Sequence, residues 1–466
     1  MPTMSRKNYL WYCIAVVIFG TALPAAAQPK PFLQDIPLVR DEPQVSATPL
    51  IRKTAAVDAV KPTAISHSPI VSTIPVLENM SIPGYSGILV ETLEGEKIVE
   101  SGSNLTYNPA SNVKVATTYA VLKTFGPDYR FATSVWTDGS YEEATGTVHG
   151  NLYISGRDPV FGFEHAIALV QELNKIGIRA IQGDLVVTDN FAMNYTNSAA
   201  TSSKALFATL DASKRSAAAT RNWQNFLINS GKLGETTQVA PSLTFSGSVY
   251  VSSMPSNAKL IFSHESAPMK EIVKAMMCYS NNFLAERLGD LVGGPFAVAR
   301  IVQQNTGALP GEFHLATSSG LGTNRVTPAA MMKLLRVLRN DLARYRMTFA
   351  DVMPVAGIDK GTLEGRFDSD FSMGSVVGKT GTLGNTDGGV SALAGEVNTR
   401  GGRLLFVIFN QRGSVSRFRS FQNFYVSTIQ GQFGGAAPIS YSPISLDYRL
   451  SKTKFSYPAG STLGTE

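Results

Sequence analysis

Hydrophobic and polar positions alternate near both ends of the chain in the pattern of an antiparallel sheet. The segment YSGILVETLEGEKIVES alternates on either side of a central LEGE turn and predicts a hairpin. Far downstream, SVVGKTGTL, GGVSALAGEV and GRLLFVIFNQ predict three more strands, and SRFRSFQNFYVSTIQ predicts a helix after them. The pattern therefore predicts an α+β fold with one five-stranded antiparallel sheet, built from both ends of the chain.

The chain between these two sets of strands has a pattern of its own. GTVHGNLYISG and IQGDLVVTDN predict strands, and FEHAIALVQELNKIGI predicts a helix between them. Residues 135–261 are therefore expected to form a smaller, inserted α+β lobe. The main domain is then discontinuous, with one part at 79–134 and the other at 262–435.

Two further segments have no sustained period. Prolines recur through residues 28–78 among Ser, Thr, Val and Ala, which predicts an extended linker. Residues 436–466 are polar and rich in turn-forming residues, and they are interpreted only as a C-terminal tail.

The first 27 residues have the pattern of a secretory signal peptide. Arg6 and Lys7 supply the basic start, an apolar run follows from Tyr9, and three alanines ending at Ala27 offer a cleavage site. The apolar run is shorter than the ~20 residues of a membrane span, and an uncleaved anchor is the alternative. We expect cleavage near Ala27 and an exported, periplasmic protein, with peripheral association with the envelope left open.

Composition narrows the classes of function. The 466 residues are 44% hydrophobic and 16% charged, as in a globular protein with a sizeable core. Loss of Arg6 and Lys7 with the signal lowers the formal net charge by two, from +6 to +4, which gives no indication of nucleic acid binding. Cys278 is the single cysteine outside the signal, and the five histidines have no ligand spacing. No disulfide, metal or cofactor is therefore expected.

The GKT triplet at Gly378 resembles the end of a phosphate-binding loop, but its surroundings disagree. Such a loop needs a glycine five residues earlier, where this chain has Met373, while Gly374 comes one position too late. The triplet is also followed by a glycine-rich turn and another strand rather than by a helix. We therefore interpret it as part of a different site.

A second motif lies in YNPASNVKVATTYAVLKTF, at the head of an amphipathic helical segment. Ser111 and Lys114 are three residues apart, which places the hydroxyl and the amine on one face of a helix. A lysine among apolar neighbours can accept the proton of a serine and so activate it as a nucleophile. Alone, this spacing is a weak signal.

A third motif makes the combination specific. MKEIVKAMMCYSNNFLAERLGDLV places Ser280 and Asn282 between two apolar helical runs. Ser-x-x-Lys, Ser-x-Asn and Lys-Thr-Gly in this order are the motifs of penicillin-binding proteins and serine β-lactamases. The segments FGPDYRFATSVW, GNLYISGRDP, YSNNFLAERLGD, PVAGIDKGTLEGRF and GKTGTLGNTDGGVSALAGEV add a closer likeness. Over roughly residues 80–432 the chain resembles the D-alanyl-D-alanine carboxypeptidases of the class C low-molecular-mass penicillin-binding protein family.

The resemblance implies a fold and a set of roles. The fold would be the serine β-lactamase/DD-peptidase-like transpeptidase fold, with its sheet flanked by helices and a lobe inserted after the Ser-x-x-Lys helix. Ser111 would attack the carbonyl between two terminal D-alanines, with Lys114 as its base. Ser280 would pass a proton to the leaving amine, and Asn282 would hold the substrate amide.

The resemblance also implies a substrate-binding strand formed by Lys379, Thr380, Gly381 and Thr382. The lysine and the two threonines would receive the terminal carboxylate, and the N–H groups of Ser111 and Thr382 would form the oxyanion hole. The expected partners are peptidoglycan stem peptides, with β-lactam antibiotics as inhibitors. The balance of carboxypeptidase and endopeptidase action stays open.

Two other functions remain as alternatives. A serine β-lactamase needs a group that activates water, and EFHLA, from Glu312 to Ala316, approaches a Glu-x-x-Leu-Asn loop but has alanine at the asparagine position. A non-catalytic protein that binds wall peptide would be favoured by loss of a catalytic residue, and none is lost. TSSGLGTNRVTP departs from the family pattern because it lacks the Asp that precedes the Ser-Gly-Leu of Ser319.

Overall fold

A computed structural model of the protein describes residues 68–232, 234 and 240–459. The predicted signal peptide and most of the predicted linker lie outside these residues. In chain order, the strands are β1 (Val71–Ser72), β2 (Tyr85–Thr92), β3 (Lys97–Ser101), β4 (Ala132–Thr137), β5 (Ser140–Glu142), β6 (Thr147–His149), β7 (Leu152–Gly156), β8 (Ala180–Ile181), β9 (Leu185–Val187), β10 (Thr244–Phe245), β11 (Val249–Val251), β12 (Lys259–Glu265), β13 (Phe313–His314), β14 (Arg325–Val326), β15 (Val376–Leu383), β16 (Val390–Thr399), β17 (Gly402–Gln411) and β18 (Lys454–Ser456).

The α-helices are α1 (Pro75–Glu78), α2 (Val113–Phe125), α3 (Phe163–Lys175), α4 (Ala199–Leu210), α5 (Ala217–Ser230), α6 (Met269–Tyr279), α7 (Asn282–Leu291), α8 (Gly294–Thr306), α9 (Pro328–Arg344), α10 (Val415–Gln432) and α11 (Leu446–Leu450). Short 3-10 turns occur at Ala110–Asn112, Phe349–Asp351 and Thr386–Gly388. Within the part of the chain that the structure describes, no helix is both long and apolar enough to cross a membrane.

The main sheet has the strand order β1-β3-β2-β17-β16-β15, and all its neighbours are antiparallel. The five long strands are those that the alternation predicted. Side chains of β16 point alternately to two apolar layers, so Ala392 and Ala394 face one core while Leu393 and Val397 face the other. Helices α2, α6, α7, α8 and α9 cover the first face, and α1 and α10 cover the second.

The predicted linker ends earlier than residue 78. Val71 and Ser72 pair with β3 and add a short sixth strand at the edge of the sheet. Leu77 of α1 is fully buried in the core beside α10. Burial of a leucine contributes about 2 kcal/mol, so this apolar segment packs on the sheet although its prolines suggested an extended chain.

The inserted lobe contains two sheets, with orders β10-β8-β6-β5 and β11-β9-β7-β4-β12-β18. Its core packs α3 and α4 against the larger sheet, and it includes Val135 and Phe262. Strands β4 and β12 extend beyond the predicted limits of 135–261 at both ends. The predicted boundaries therefore cut through two strands that belong to the sheet of the inserted lobe.

The segment predicted as a featureless C-terminal tail is structured as far as residue 459. Strand β18 pairs with β12 and so completes the sheet of the inserted lobe. Tyr441 donates a hydrogen bond of 2.8 Å to Asp359, and Arg449 pairs with Glu271 of α6 at 2.7 Å. The tail therefore fastens helix α6, which ends directly before Ser280.

Candidate active site

The Ser-x-x-Lys motif lies where a 3-10 turn continues into α2. Ser111 lies in the turn and Lys114 lies in the first turn of the helix. The Lys114 amine is 3.0 Å from the Ser111 hydroxyl, as the spacing predicted. Ala110, directly before the serine, has a φ of 46°, a left-handed conformation that costs a residue other than glycine about 1–3 kcal/mol. Surrounding contacts therefore hold the serine in a strained turn.

The Lys114 amine joins three separate parts of the chain. Besides Ser111, it donates to the side-chain oxygen of Asn282 at 2.7 Å and to the backbone carbonyl of Ser319 at 2.8 Å. The lysine is fully buried. The Asn282 and Ser319 oxygens can only accept a hydrogen bond, whereas the serine hydroxyl can also donate one.

Ser280 and Lys379 form a second contact at the same site. Ser280 ends helix α6 in a left-handed conformation, with φ 55° and ψ 38°, and α7 begins two residues later at Asn282. The Lys379 amine donates to the Ser280 hydroxyl at 2.8 Å and to the backbone carbonyl of Thr380 at 2.7 Å. This tight junction of two helices therefore turns the hydroxyl toward β15.

Strand β15 forms the edge of the main sheet beside the serine. A side chain at Gly381 would come within 2.5 Å of the Pro109 carbonyl, so glycine permits this close approach. Thr380 and Thr382 line a cleft of about 540 Å³ together with Ser111 and Ser280. The structure thus brings all eight predicted site residues to one location.

Sequence reasoning missed two residues at this site. Glu286 of α7 accepts the backbone N–H groups of Ser318 and Ser319 at 3.2 and 3.1 Å and so holds the segment that Lys114 contacts. Arg419 of α10 donates to the Thr382 hydroxyl at 2.9 Å. Glu286 lies four residues after Asn282, on the same helix face, and this spacing was a usable signal.

The loop that lacks the family's Asp is held by Thr317. Its hydroxyl donates to the Leu321 carbonyl at 2.8 Å and accepts the Gly320 N–H at 3.1 Å. Gly320 has a φ of 93°, and a side chain there would meet the Ala110 carbonyl at 2.0 Å. The threonine therefore supplies local hydrogen bonds to the turn that packs against the nucleophile segment.

The β-lactamase-like glutamate, the cysteine outside the signal and two of the histidines make contacts of a structural kind. Glu312 accepts the backbone N–H of Leu309 at 2.9 Å and lies 3.8 Å from Lys333. Cys278 is buried, and burial raises the pKa of its thiol to about 12. The rings of His165 and His264 contact each other at a tilt in the inserted lobe, with centroids 5.1 Å apart. Among the described residues, no three His, Cys, Asp or Glu side chains are grouped to hold a metal ion.

Together, the sheet flanked by helices and the paired Ser-Lys contacts define an active-site serine peptidase with the DD-peptidase-like fold. The model of the D-Ala-D-Ala carboxypeptidase 3 (S13) family matches residues 76–244 and 240–423. The chain therefore belongs to this family of serine-type carboxypeptidases.

Individual relatives agree with the family assignment. The D-alanyl-D-alanine carboxypeptidase of Actinomadura sp. (strain R39) is 25% identical over 434 residues, which cover 72% of this chain and 79% of the relative. The D-alanyl-D-alanine carboxypeptidase DacB of Haemophilus influenzae is 32% identical over 183 residues, 36% of each chain. The structure of Bd3459, a predatory peptidoglycan endopeptidase from Bdellovibrio bacteriovorus, has a TM-score of 0.66 at 22% identity. That match covers 80% of this chain and 100% of the other, and it shows the fold.

Proposed function

We propose that Ser111 is the nucleophile and that it forms an acyl-enzyme with the penultimate D-alanine of a peptidoglycan stem peptide. The observation that carries this proposal is the buried Lys114 amine, which lies 3.0 Å from the Ser111 hydroxyl and 2.7 Å from the Asn282 oxygen. A serine hydroxyl is a weak nucleophile until an adjacent base accepts its proton. Lys114 is that base.

The partners of Lys114 support this role. A deprotonated amine has two N–H groups, which match the two acceptors on Asn282 and Ser319, and one lone pair, which is then directed at Ser111. The proton of Ser111 moves to Lys114 as the serine oxygen bonds to the substrate carbonyl carbon. The Asn282 side-chain N–H₂ holds the carbonyl of the preceding substrate residue.

Ser280 delivers the proton to the leaving amine. Its own hydroxyl proton moves to the amine nitrogen as the C–N bond breaks, and the proton that Lys114 took from Ser111 replaces it, while the hydrogen bond from Lys379 stabilises the Ser280 oxygen during the exchange. The N–H groups of Ser111 and Thr382 stabilise the oxyanion, and one such donor is worth about 3 kcal/mol. Lys379, Thr380 and Thr382 receive the terminal carboxylate along β15.

The N-terminal pattern supports export to the periplasm after cleavage near Ala27, where the substrate is found. Incubation of the purified protein with isolated muropeptides, followed by mass spectrometry, separates the two peptidase activities. Loss of one alanine is expected from carboxypeptidase action, and splitting of dimers is expected from endopeptidase action. Muropeptides that stay unchanged would contradict the proposed function.

The response to penicillin separates this function from that of a β-lactamase. A structure of Bd3459 has been determined as the penicillin G acylated enzyme. In this chain, Glu312 is engaged by Leu309 and Lys333, and Ala316 lacks the amide that would hold a water molecule. We expect intact mass spectrometry to show one long-lived adduct on Ser111 and none in Ser111→Ala. Rapid consumption of penicillin without an adduct would favour the β-lactamase.

A further inference from the structure

Two guanidinium groups line the cleft that contains the proposed nucleophile. Arg366 follows the GTLEG segment and is 8% exposed, while Arg419 lies on the exposed face of α10. Both line the same cleft as Ser111 and Ser280. None of the proposed catalytic steps uses either arginine as a reacting group.

Both guanidinium groups are held by neutral partners. Arg366 donates to the side-chain oxygens of Asn423 at 2.8 Å and Gln422 at 3.1 Å, and Arg419 donates to the Thr382 hydroxyl. The carboxylate beside Arg366 in sequence, Glu364, pairs with a lysine instead. Across residues 68–232, 234 and 240–459, no ion pair involves either arginine.

A buried positive charge without a counter-ion is costly, and the exposed charge of Arg419 beside Arg366 adds to that cost. Burial and the neighbouring charge of Arg419 lower the pKa of Arg366 to about 10. A bound carboxylate would relieve this cost, because guanidinium groups match carboxylates in both charge and planar geometry. The amide partners fix the direction of Arg366 without neutralising its charge.

The location of the pair indicates which part of a substrate it meets. Arg419 touches Thr382, which in the proposed function receives the α-carboxylate of the leaving residue. Arg366 lines the same cleft as Thr382 and Arg419. Because the proposed function assigns Thr382 to the carboxylate of the leaving residue, the contact of Arg419 with Thr382 assigns the pair to the leaving-group side of the scissile bond. Resting on the proposed function, we propose that Arg366 and Arg419 form a subsite for a second carboxylate, carried by the residue or peptide that leaves.

This subsite distinguishes among leaving groups. A released D-alanine has one carboxylate, which the Lys379 strand already receives, and a methyl side chain that offers nothing to a guanidinium. The acceptor strand of a peptide cross-link is an acidic peptide with further carboxylates. The pair therefore favours cleavage of cross-links, and endopeptidase action exceeds carboxypeptidase action on equally accessible bonds.

The test uses three acylated D-Ala-X donors in which X is D-Ala, D-Glu or D-Gln. D-Glu and D-Gln have nearly the same shape and differ by one carboxylate, so the ratio of their kcat/KM values isolates the second charge. We expect the unaltered protein to prefer D-Glu over D-Gln by about tenfold, which is the effect of one charge-assisted hydrogen bond. The preference should decrease as salt is added.

Three variants assign the preference to the pair. Arg366→Gln and Arg419→Gln should each bring the ratio to within about threefold of one. Arg417→Gln removes an exposed arginine two residues away on the same helix and should keep the full ratio. Because Arg419 is exposed, its replacement does not threaten folding, and the test stands even where Arg366→Gln unfolds.

The outcomes separate the inference from the function on which it rests. A preference that is absent in the unaltered protein, or unchanged in Arg419→Gln, overturns the subsite while D-Ala-D-Ala cleavage and the Ser111 penicillin adduct continue. A protein that neither cleaves any donor nor forms the adduct overturns both. Loss of the preference in both Gln variants, with the adduct still formed, supports the subsite.

Discussion

Lys114 contacts Ser111, Asn282 and Ser319 at once, and each of these residues belongs to a different part of the site. Replacement by alanine removes the proposed base and leaves the Asn282 and Ser319 oxygens without their donor. We expect Lys114→Ala to lower the rate of D-Ala-D-Ala hydrolysis by more than ~100-fold, the lower range for loss of a general base. Initial rates on a dipeptide donor measure this effect.

The control for that variant lies on the same helix. Lys123 is partly exposed and pairs with Asp341 at 3.0 Å, away from the cleft. Lys123→Ala should keep near full activity, because such surface pairs contribute little. A Lys114→Ala protein that is folded by circular dichroism and still hydrolyses the donor at a normal rate would contradict the assignment of the base.

Ser280 combines a functional hydroxyl with a left-handed backbone, and two substitutions separate them. Ser280→Ala and Ser280→Gly both remove the hydroxyl that Lys379 contacts, so both should lose activity to a similar extent. Glycine adopts a φ of 55° without strain, whereas alanine does not. In urea unfolding, the glycine variant should be more stable than the alanine variant by about 1 kcal/mol. Equal stability would argue against strain at this junction.

At the scale of elements, the attachment of α6 to the C-terminal segment determines how firmly Ser280 is held. Tyr441 donates to the buried Asp359, whose other oxygen is 2.6 Å from Lys274 of α6. Tyr441→Phe leaves the Asp359 oxygen that the tyrosine contacts without this donor. We expect a loss of about 1–2 kcal/mol in the free energy of unfolding. Tyr448→Phe, at an exposed position on α11, should change it by less than about 0.5 kcal/mol. Similar losses in both variants would contradict this role.

Local patterns predicted the elements that depend on local sequence. The five long strands, α10 and the Ser-x-x-Lys contact follow from alternation and helical spacing, and the structure has all of them. Features that depend on pairing between distant parts of the chain could not be predicted from local sequence patterns. Strand β18 completes a sheet begun far upstream, and Arg419 reaches Thr382 from a separate helix. No period in the sequence of the tail or of α10 marks either contact.

At the scale of the whole molecule, Asp158 makes stability depend on pH. It is 2% exposed, one oxygen accepts the Val160 N–H at 2.9 Å, and the other oxygen has no partner in the described structure. Burial, with a smaller contribution from Glu164, raises the pKa of this carboxyl to about 7. The folded protein thus holds the proton more tightly than the unfolded chain. The contribution of this carboxyl to stability falls as the pH rises from about 4 to about 7.

Replacement by a neutral isostere removes that dependence. Asp158→Asn should gain stability relative to the unaltered protein at pH 8 and gain less at pH 4, where the carboxyl is protonated in the folded state and about half protonated in the unfolded chain. The gain at pH 8 should exceed that at pH 4 by at least about 1 kcal/mol. Urea unfolding at the two pH values measures it, with the exposed Asp189→Asn as control. An equal effect of Asp158→Asn at both pH values would contradict the expectation.

The pairing of β2 with β17 has a consequence for the time at which the enzyme becomes active. Ile88 lies opposite Ile408, and Asn108 donates its backbone N–H to Gln411, so the first and last long strands close the sheet together. Contacts between such distant positions form late, because the intervening chain must first be brought together. During synthesis the N-terminal part of the chain, which contains Ser111, emerges long before β15, which contains Lys379. The proposed penicillin adduct on Ser111 would therefore report that folding is complete, and a labelled antibiotic added during synthesis would mark only finished molecules.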